Sequence, residues 1–154
     1  MSVAFFDFDN TIIEGDIGPL FGQHIFDETK KQRSARKRGQ LYARYIPHIA
    51  WVGLQSALYK ARALRRSRLV RSAYKMLRGI PVEDYYPQMD AFVQEAIPQR
   101  IYQEVRAEIE RHLQEGRRVV IITTGVEQLV KRCLPFLPEG VEVIGCRLRE
   151  KNGK

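Results

Sequence analysis

The chain has 154 residues, a formal net charge of +8 and an apolar content of 44%. This length suits one domain, or a small core with an insertion, and the apolar content excludes a disordered chain. No apolar run reaches the length that crosses a bilayer and no secretory signal peptide is visible, so we expect a cytoplasmic protein. The two cysteines, Cys133 and Cys146, lack metal-ligand spacing and are expected to be free thiols.

The chain opens with an apolar segment that ends in two carboxylates. Val3-Ala4-Phe5-Phe6 predicts a buried strand, and Asp7 and Asp9 follow one residue apart. Alternate residues of a strand share a face, so the two side chains point the same way. Repulsion disfavours such a pair unless a cation lies between the carboxylates or one of them acts as a base or nucleophile. The alternative is a turn in which Asp9 or Asn10 caps the next helix.

Helical spacing dominates the next part of the chain. Glycines and a proline predict a loop over 12–19, with a helix starting near Leu20. Further helices are predicted over 41–64, with an interruption near Pro47, and over 62–78 and 82–96. The inner side of the last of these helices is predicted to carry Tyr85, Met89, Phe92 and Val93.

The middle of the chain is strongly basic. From Lys30 to Ile80 there are 15 Lys and Arg residues and no Asp or Glu, while the remainder is net acidic, which predicts two units with different partners. Solvated helical faces around a core stripe are one explanation. The functional alternatives are a lid that recruits anions to an active site, an anionic membrane surface, or nucleic acid. Nucleic acid is disfavoured because no nucleic-acid-binding motif is present, and Trp51 suits an interfacial helix and a helical core equally.

The last third of the chain alternates helices with strands. A helix over 100–115 precedes a buried strand at 119–122, and a helix over 126–134 precedes a strand at 141–144. This alternation is typical of an α/β layer with parallel strands.

Two threonines and a glycine follow the strand at 119–122. Hydroxyls and free backbone N–H groups at the start of a helix can hold a phosphate, aided by the helix dipole. Helix capping by Thr123 or Thr124 is the alternative.

The two polar segments together resemble motifs of the haloacid dehalogenase-like hydrolases. Phe-Asp-Phe-Asp-Asn-Thr-Ile at 6–12 is similar to the first family motif, Asp-x-Asp-x-Thr after an apolar strand. Val-Ile-Ile-Thr-Thr-Gly at 120–125 is similar to the second, an apolar strand that ends in Ser or Thr. The segment from Leu77 to the strand at 119–122, and the ending Val-Ile-Gly-Cys-Arg-Leu, resemble the phosphoserine phosphatase-like subgroup, subfamily IB.

The resemblance implies an architecture. The family core is an α/β, Rossmann-like parallel sheet, here incomplete and formed by 1–14 and 99–154. The helical insertion over 15–98 lies where the family has its cap domain.

The resemblance also implies an activity, that of a Mg²⁺-dependent phosphomonoester hydrolase acting on a small phosphorylated substrate. Asp7 would be the nucleophile that forms an aspartyl-phosphate, and Asp9 the general acid and base. Both aspartates would contribute to the Mg²⁺ site. The implied phosphate- and substrate-binding residues are Asn10, Thr11, Thr123, Thr124 and Gly125. Glu14 lies where related enzymes have a substrate-sensing acid.

The sequence departs from the family pattern after the third strand. The family also has a Lys that neutralises the phosphate and an acidic Gly-Asp-type loop that completes the Mg²⁺ shell, and neither precedes the end at Lys154. The strands that would flank the first strand on its other side are missing too, which leaves an open edge. We therefore expect a fragment of a longer protein, impaired in turnover, or a chain whose open edge a partner covers, including a second copy in a homo-oligomer.

Two other functions stay open at this point. The acidic motif could be vestigial in a non-catalytic module whose basic helices bind an anionic lipid surface or a partner protein. The second function that stays open is phosphotransfer, because the same Asp nucleophile serves several reactions in the family.

Overall fold

The computed structural model describes residues 2–31, 33–63 and 80–150 and the single positions 65, 68, 72 and 75. The chain divides into two compact units, one formed by Met1–His24 and Val82–Gly153 and the other by Ile25–Pro81. The second unit is shorter than the predicted insertion because the helix over 82–96 groups with the α/β unit. Most of the predicted basic helix over 62–78 lies outside the described residues.

The described elements alternate as predicted in the α/β unit. The strands are β1 (Val3–Asp7), β2 (Arg118–Val126) and β3 (Val141–Cys146). They form a parallel sheet in the order β1-β2-β3, which confirms the α/β fold class. The helices are α1 (Ile17–Lys31), α2 (Ala35–Lys60), α3 (Val82–Ala96), α4 (Gln103–Gln114) and α5 (Glu127–Arg132). In the described residues no helix is both long enough and apolar enough to cross a membrane.

Helix α3 is part of the core of the α/β unit. Its inner side is buried as predicted, because the apolar side chains recur at helical spacing. The Phe92 ring packs against Phe21 of α1, with ring centroids 5.4 Å apart. Asp90 on the outer side accepts a hydrogen bond from Arg132 of α5 at 2.7 Å. Apolar packing therefore joins α1 to α3, and the Arg132–Asp90 ion pair joins α5 to α3.

Strand β1 is less buried than predicted. Residues paired in parallel register share a face, and the face that contains Phe5 also contains Ile122 and Ile144. The exposed fractions of these side chains are 63%, 47% and 55%. The opposite face is covered, with Val119 and Ile121 fully buried. Val120, the register partner of Phe5 on the same face, is 2% exposed, so the face that contains Phe5 is open only in part. In the described part of the chain β1 pairs with β2 alone, so its other edge is open.

Helix α1 begins earlier than the sequence predicts. The residues of the expected loop from Ile17 onward form its first turn, with Pro19 at the third position. A proline is tolerated there because the first N–H groups of a helix have no acceptor within the helix. Residues that break a helix interior therefore do not mark the end of the loop here.

The second unit contains the end of α1 and the whole of α2. The Thr29 hydroxyl donates to the Ile25 carbonyl at 2.8 Å, and the rings of Phe26 and Tyr42 lie 5.8 Å apart. Helix α2 continues through Pro47, where an interruption was predicted. Tyr45 on α2 is buried.

A buried carboxylate joins α5 to the chain beyond β3. The Glu127 side chain is 5% exposed and accepts hydrogen bonds from Arg147 at 2.9 Å and from Lys131 at 2.7 Å. The hydrogen bond from Arg147, followed by that from Lys131, lowers the pKa of Glu127 from 4.5 to about 2. The ionised carboxylate therefore stabilises the folded chain.

The open edge of β1 predicts self-association. At high concentration the wild-type chain should form dimers or larger species, because unpaired strand edges beside apolar surface attract further chains. Phe5→Lys should weaken association about tenfold or more, since burial of a Phe side chain contributes about 1.5–3 kcal/mol. Sedimentation velocity over a concentration series measures this, with Tyr102→Lys as the control at a half-exposed aromatic off the sheet. A wild-type chain that stays monomeric throughout contradicts the prediction.

The Glu127 ion pairs predict a pH dependence of stability. The pKa is lower in the folded state, so the unfolded chain binds more protons between about pH 4.5 and about pH 2. The contribution is fully present above this window and is lost as the pH falls through it. Urea unfolding at a series of pH values should show a smaller acid-induced loss for Glu127→Gln than for wild type or for Glu110→Gln, an exposed control. Parallel slopes for all three chains would argue against the ion pairs.

Candidate active site

The two polar segments meet at the carboxyl ends of neighbouring strands. The β1–β2 register pairs Asp7 with Ile122, and Thr123 is the next residue along β2. Ligand sites of open α/β sheets lie at this end of the strands. The strand pairing thus brings the predicted nucleophile to within one strand spacing of the predicted phosphate-binding segment.

The two aspartates have different surroundings. Asp7 is exposed, and its Oδ1 accepts a hydrogen bond from the N–H of Phe8 at 2.8 Å. Asp9 is half-buried, and its Oδ1 accepts the N–H of Ile17, the first residue of α1, at 2.8 Å. Asp9 therefore satisfies a helix N–H group, as the capping alternative proposed. The bond holds the carboxylate in one orientation.

The loop after β1 is closed by Asn10. Its backbone has a φ of 54°, in the left-handed region that Asn tolerates better than most residues. Its side-chain oxygen accepts the N–H of Gly15 at 3.2 Å and its Nδ2 donates to Asp16 at 3.0 Å. Asn10 thus orders the loop that contains Asp9. Thr11 lies in the same turn and is half-buried.

Strand β2 extends through the segment that was predicted to be a loop. Thr123, Thr124 and Gly125 lie within β2, whose register with β3 is irregular between Ile122 and Val126. Thr123 is 7% exposed and its hydroxyl oxygen accepts the N–H of Gly125 at 2.8 Å, whereas Thr124 is exposed. A hydroxyl that accepts one hydrogen bond keeps its own proton for donation.

Two glycines allow the close packing of this region. A Cβ at Gly125 would lie 3.0 Å from Cγ2 of Ile17 and 3.1 Å from the Thr123 hydroxyl oxygen. A Cβ at Gly145 of β3 would lie 3.1 Å from the Gly125 carbonyl oxygen. Side chains at these positions would push apart α1, β2 and β3. The residue that binds Asp9 therefore packs directly on the threonine segment.

The residues at this end of β1 offer the type of oxygen ligand that Mg²⁺ prefers. Mg²⁺ prefers hard oxygens and is commonly held by one or two carboxylates, with water and substrate phosphate in the remaining positions. Asp7 and Asp9 offer the two carboxylates. No group of three His, Cys, Asp or Glu side chains able to hold a metal occurs among the residues described. A site here would depend on backbone, water or substrate oxygens for the rest of the shell.

Sequence reasoning missed three residues that shape this region: Ile17, Glu127 and Gly145. Ile17 donates its N–H to Asp9, and Gly145 allows β3 to approach the threonine segment. Glu127 follows that segment directly and is anchored by Arg147. Of these three residues, only Gly145 could have been found from the sequence, because a glycine within an apolar strand marks the close approach of another backbone.

Comparison with protein families gives a match to one that is described as haloacid dehalogenase-like hydrolase. It covers residues 4–154 of the chain. No curated protein sequence matches.

Three solved structures with a similar fold are distant from this chain in sequence. A Bordetella pertussis Tohama I protein with unknown function has a TM-score of 0.72, is 12% identical, and is matched over 99% of this chain and 63% of its own. A phospho-aspartyl intermediate analogue of phosphoserine phosphatase has a TM-score of 0.57 at 15% identity, over 99% of this chain and 59% of its own. Cytosolic 5′-nucleotidase IIIB bound to cytidine has a TM-score of 0.58 at 15% identity. This match covers 99% of the present chain and 51% of the nucleotidase chain.

The chain corresponds to only part of each of these solved chains. The chain spans between 51% and 63% of the length of those three solved chains. The family match covers all but the first few residues of the sequence. The chain therefore belongs to the haloacid dehalogenase-like hydrolase family.

Proposed function

We propose that the protein hydrolyses phosphate monoesters through an aspartyl-phosphate formed on Asp7. The observation that supports this most directly is the β1–β2 register, which pairs Asp7 with Ile122, the residue before Thr123. The proposed substrate is a small phosphorylated compound. The phosphatase and nucleotidase among the similar structures support the same reaction class.

The first half-reaction transfers the phosphoryl group to Asp7. A carboxylate oxygen of Asp7 attacks phosphorus, the bond from phosphorus to the ester oxygen breaks, and Asp9 gives its proton to that departing oxygen. Asp9 enters this step protonated and leaves it as a carboxylate. The Ile17 N–H donates to Oδ1 of Asp9 and fixes the orientation of this carboxyl group beside the loop.

The second half-reaction releases phosphate. Asp9, now a carboxylate, takes a proton from water, whose oxygen attacks the phosphorus of the aspartyl-phosphate. The acyl-phosphate bond breaks, inorganic phosphate leaves, and the Asp7 carboxylate and protonated Asp9 are restored. The same pair of side chains therefore completes the cycle without a net change.

The phosphate group and a metal would be held by the same end of the sheet. We propose that Mg²⁺ binds a carboxylate oxygen of Asp7 and the carbonyl of Asp9, and it would neutralise charge on the phosphoryl group. The Thr123 hydroxyl and backbone N–H groups at Thr124 and Gly125 would donate to the phosphate oxygens. Thr11 and Asn10 would keep the loop around them ordered.

Two further parts of the proposal concern the limits of turnover and the choice of substrate. The family resemblance implies a downstream Lys and an acidic loop that the first 154 residues do not supply, so we propose slow turnover for this chain alone. The helical insertion would act as a cap over the site and select the substrate, with Glu14 near the substrate.

Replacement of the nucleophile is the first test. Asp7→Asn keeps the size of the side chain and an oxygen that can accept the Phe8 N–H, and removes the nucleophilic carboxylate. Hydrolysis of an aryl phosphate with Mg²⁺ should fall by about 10³-fold or more, to background. Glu110→Gln, a change of an exposed carboxylate on α4, should leave the rate unaltered.

A second readout keeps this test decisive if the chain turns over slowly. Beryllium fluoride with Mg²⁺ mimics a phosphoryl group on an aspartate, and the bound form has its own ¹⁹F resonances. Wild type and Glu110→Gln should give these resonances and Asp7→Asn should not. Equal spectra, or equal rates, for the wild type and Asp7→Asn rule out the nucleophile assignment.

Replacement of Asp9 tests the proton transfers. Asp9→Asn keeps an oxygen for the Ile17 N–H, so the fold should persist, while the rate should fall by about 10²–10⁴-fold. The loss should be smaller for substrates whose leaving group needs no proton. Rates measured across a series of phenyl phosphates of different phenol pKa give this dependence. A uniform loss over the series would rule out Asp9 as the group that protonates the leaving oxygen.

A further inference from the structure

Helix α2 has an unusual apolar surface. The 15 residues from Tyr45 to Tyr59 include no Asp, Glu, Lys or Arg. Seven positions in this stretch recur at the spacing of one helical face, and all seven are exposed. We call them the outer face of α2: Ile46, Ile49, Ala50, Gly53, Leu54, Ala57 and Leu58. Trp51 lies at the margin of this face and is 53% exposed.

The opposite side of α2 is the more polar one. Tyr45 is buried, and His48, Gln55 and Ser56 are partly buried. The His48 ring is hydrogen-bonded to the Ser72 carbonyl at 2.9 Å. A surface helix of a soluble domain normally has the reverse arrangement, with its apolar side inward. A contiguous exposed apolar face of this kind marks an interaction surface.

Basic residues lie on both sides of the outer face in the sequence. Arg36 precedes it and is exposed. The exposed basic residues that follow it among the described positions up to residue 80 are Lys60, Arg62, Arg65, Arg68 and Lys75. From residue 30 to residue 80 the sequence has no acidic residue to balance them. The occupant of this surface must therefore be apolar in its centre and anionic around it.

Three occupants differ in how well they meet that requirement. A second copy of α2 would bring one set of basic residues against another, which is repulsive. Nucleic acid would neutralise the arginines and leave the isoleucines and leucines against a charged backbone. An anionic bilayer meets both needs, because its acyl boundary accepts apolar side chains, its interface accepts Trp and Tyr, and its headgroups attract Lys and Arg.

We propose that α2 lies in the plane of an anionic phospholipid bilayer. The outer face enters the boundary between headgroups and acyl chains, with Trp51 at headgroup level and Lys60, Arg62 and Arg65 on the anionic headgroups. The proposal uses no residue of the α/β unit and does not depend on the hydrolase proposal.

The first experiment uses the wild-type chain, in which Trp51 is the only tryptophan. Phosphatidylcholine vesicles that contain phosphatidylglycerol should shift its emission to shorter wavelength, and brominated acyl chains should quench it. Pure phosphatidylcholine should do neither, and salt near 1 M, where the Debye length is about 3 Å, should reverse most of the binding. Emission that is unchanged by anionic vesicles, or changed equally by neutral ones, overturns the proposal.

The second experiment compares paired variants by vesicle co-sedimentation. Arg62→Gln with Arg65→Gln should weaken binding about twentyfold, since each basic residue near an anionic surface contributes roughly fivefold. Leu54→Gln with Leu58→Gln should weaken it at least tenfold. The matched controls are Arg106→Gln and Ile144→Gln, which change exposed residues outside the second unit. Circular dichroism verifies that each variant is folded.

The outcomes separate the possible occupants. Weaker vesicle binding by both paired variants, with both control variants binding as tightly as wild type, supports the bilayer as the occupant of this surface. Control variants that lose as much vesicle binding as the paired variants overturn the proposal. Binding of a duplex RNA or of polyglutamate without binding of anionic vesicles also overturns it, in favour of nucleic acid or an acidic protein.

Discussion

The parallel pairing of β1 with β2 is the constraint on which the candidate site depends. The two polar segments are more than a hundred residues apart in sequence, and only the sheet register sets Asp7 beside Ile122 and Thr123. Parallel neighbours end at the same edge, so backbone groups and side chains that follow them converge there. A slip of one residue would move Asp7 to the other face of the sheet. The fixed register therefore matters as much as the identity of the acidic residues.

Close backbone packing adds a second constraint at that edge. Gly125 and Gly145 let α1, β2 and β3 approach more closely than residues with a side chain would allow. Ile17 then makes two contacts that matter, one through its side chain to Gly125 and one through its N–H to Asp9. The orientation of the Asp9 carboxylate is thus coupled to the packing of the threonine segment.

Local patterns predicted those parts of the structure that local forces determine. The bounds and buried side of α3 follow from helical spacing alone, and the order of helices and strands in the last third predicts a parallel sheet. The residue types and spacing after β1 identified the acidic pair before any geometry was known. Their roles as nucleophile and acid stay predictions.

The features that sequence reasoning missed depend on distant parts of the chain. Phe5 was expected to be buried because an apolar strand usually has neighbours on both faces, and the described chain covers the face that contains Phe5 only in part. The ion pairs of Glu127 include one with Arg147, which approaches it only through the β2–β3 pairing. The early start of α1 was hidden by Pro19, whose effect on a helix depends on which turn contains it.

The hydrogen bond between Asp9 and Ile17 has a mechanical consequence. Helix α1 starts at that bond in the α/β unit and ends in the second unit, after the boundary at Ile25. A helix transmits displacement along its axis better than a loop does, because its backbone is internally bonded throughout. Any tilt of α1 therefore changes the angle at which the Ile17 amide proton meets the Asp9 carboxylate.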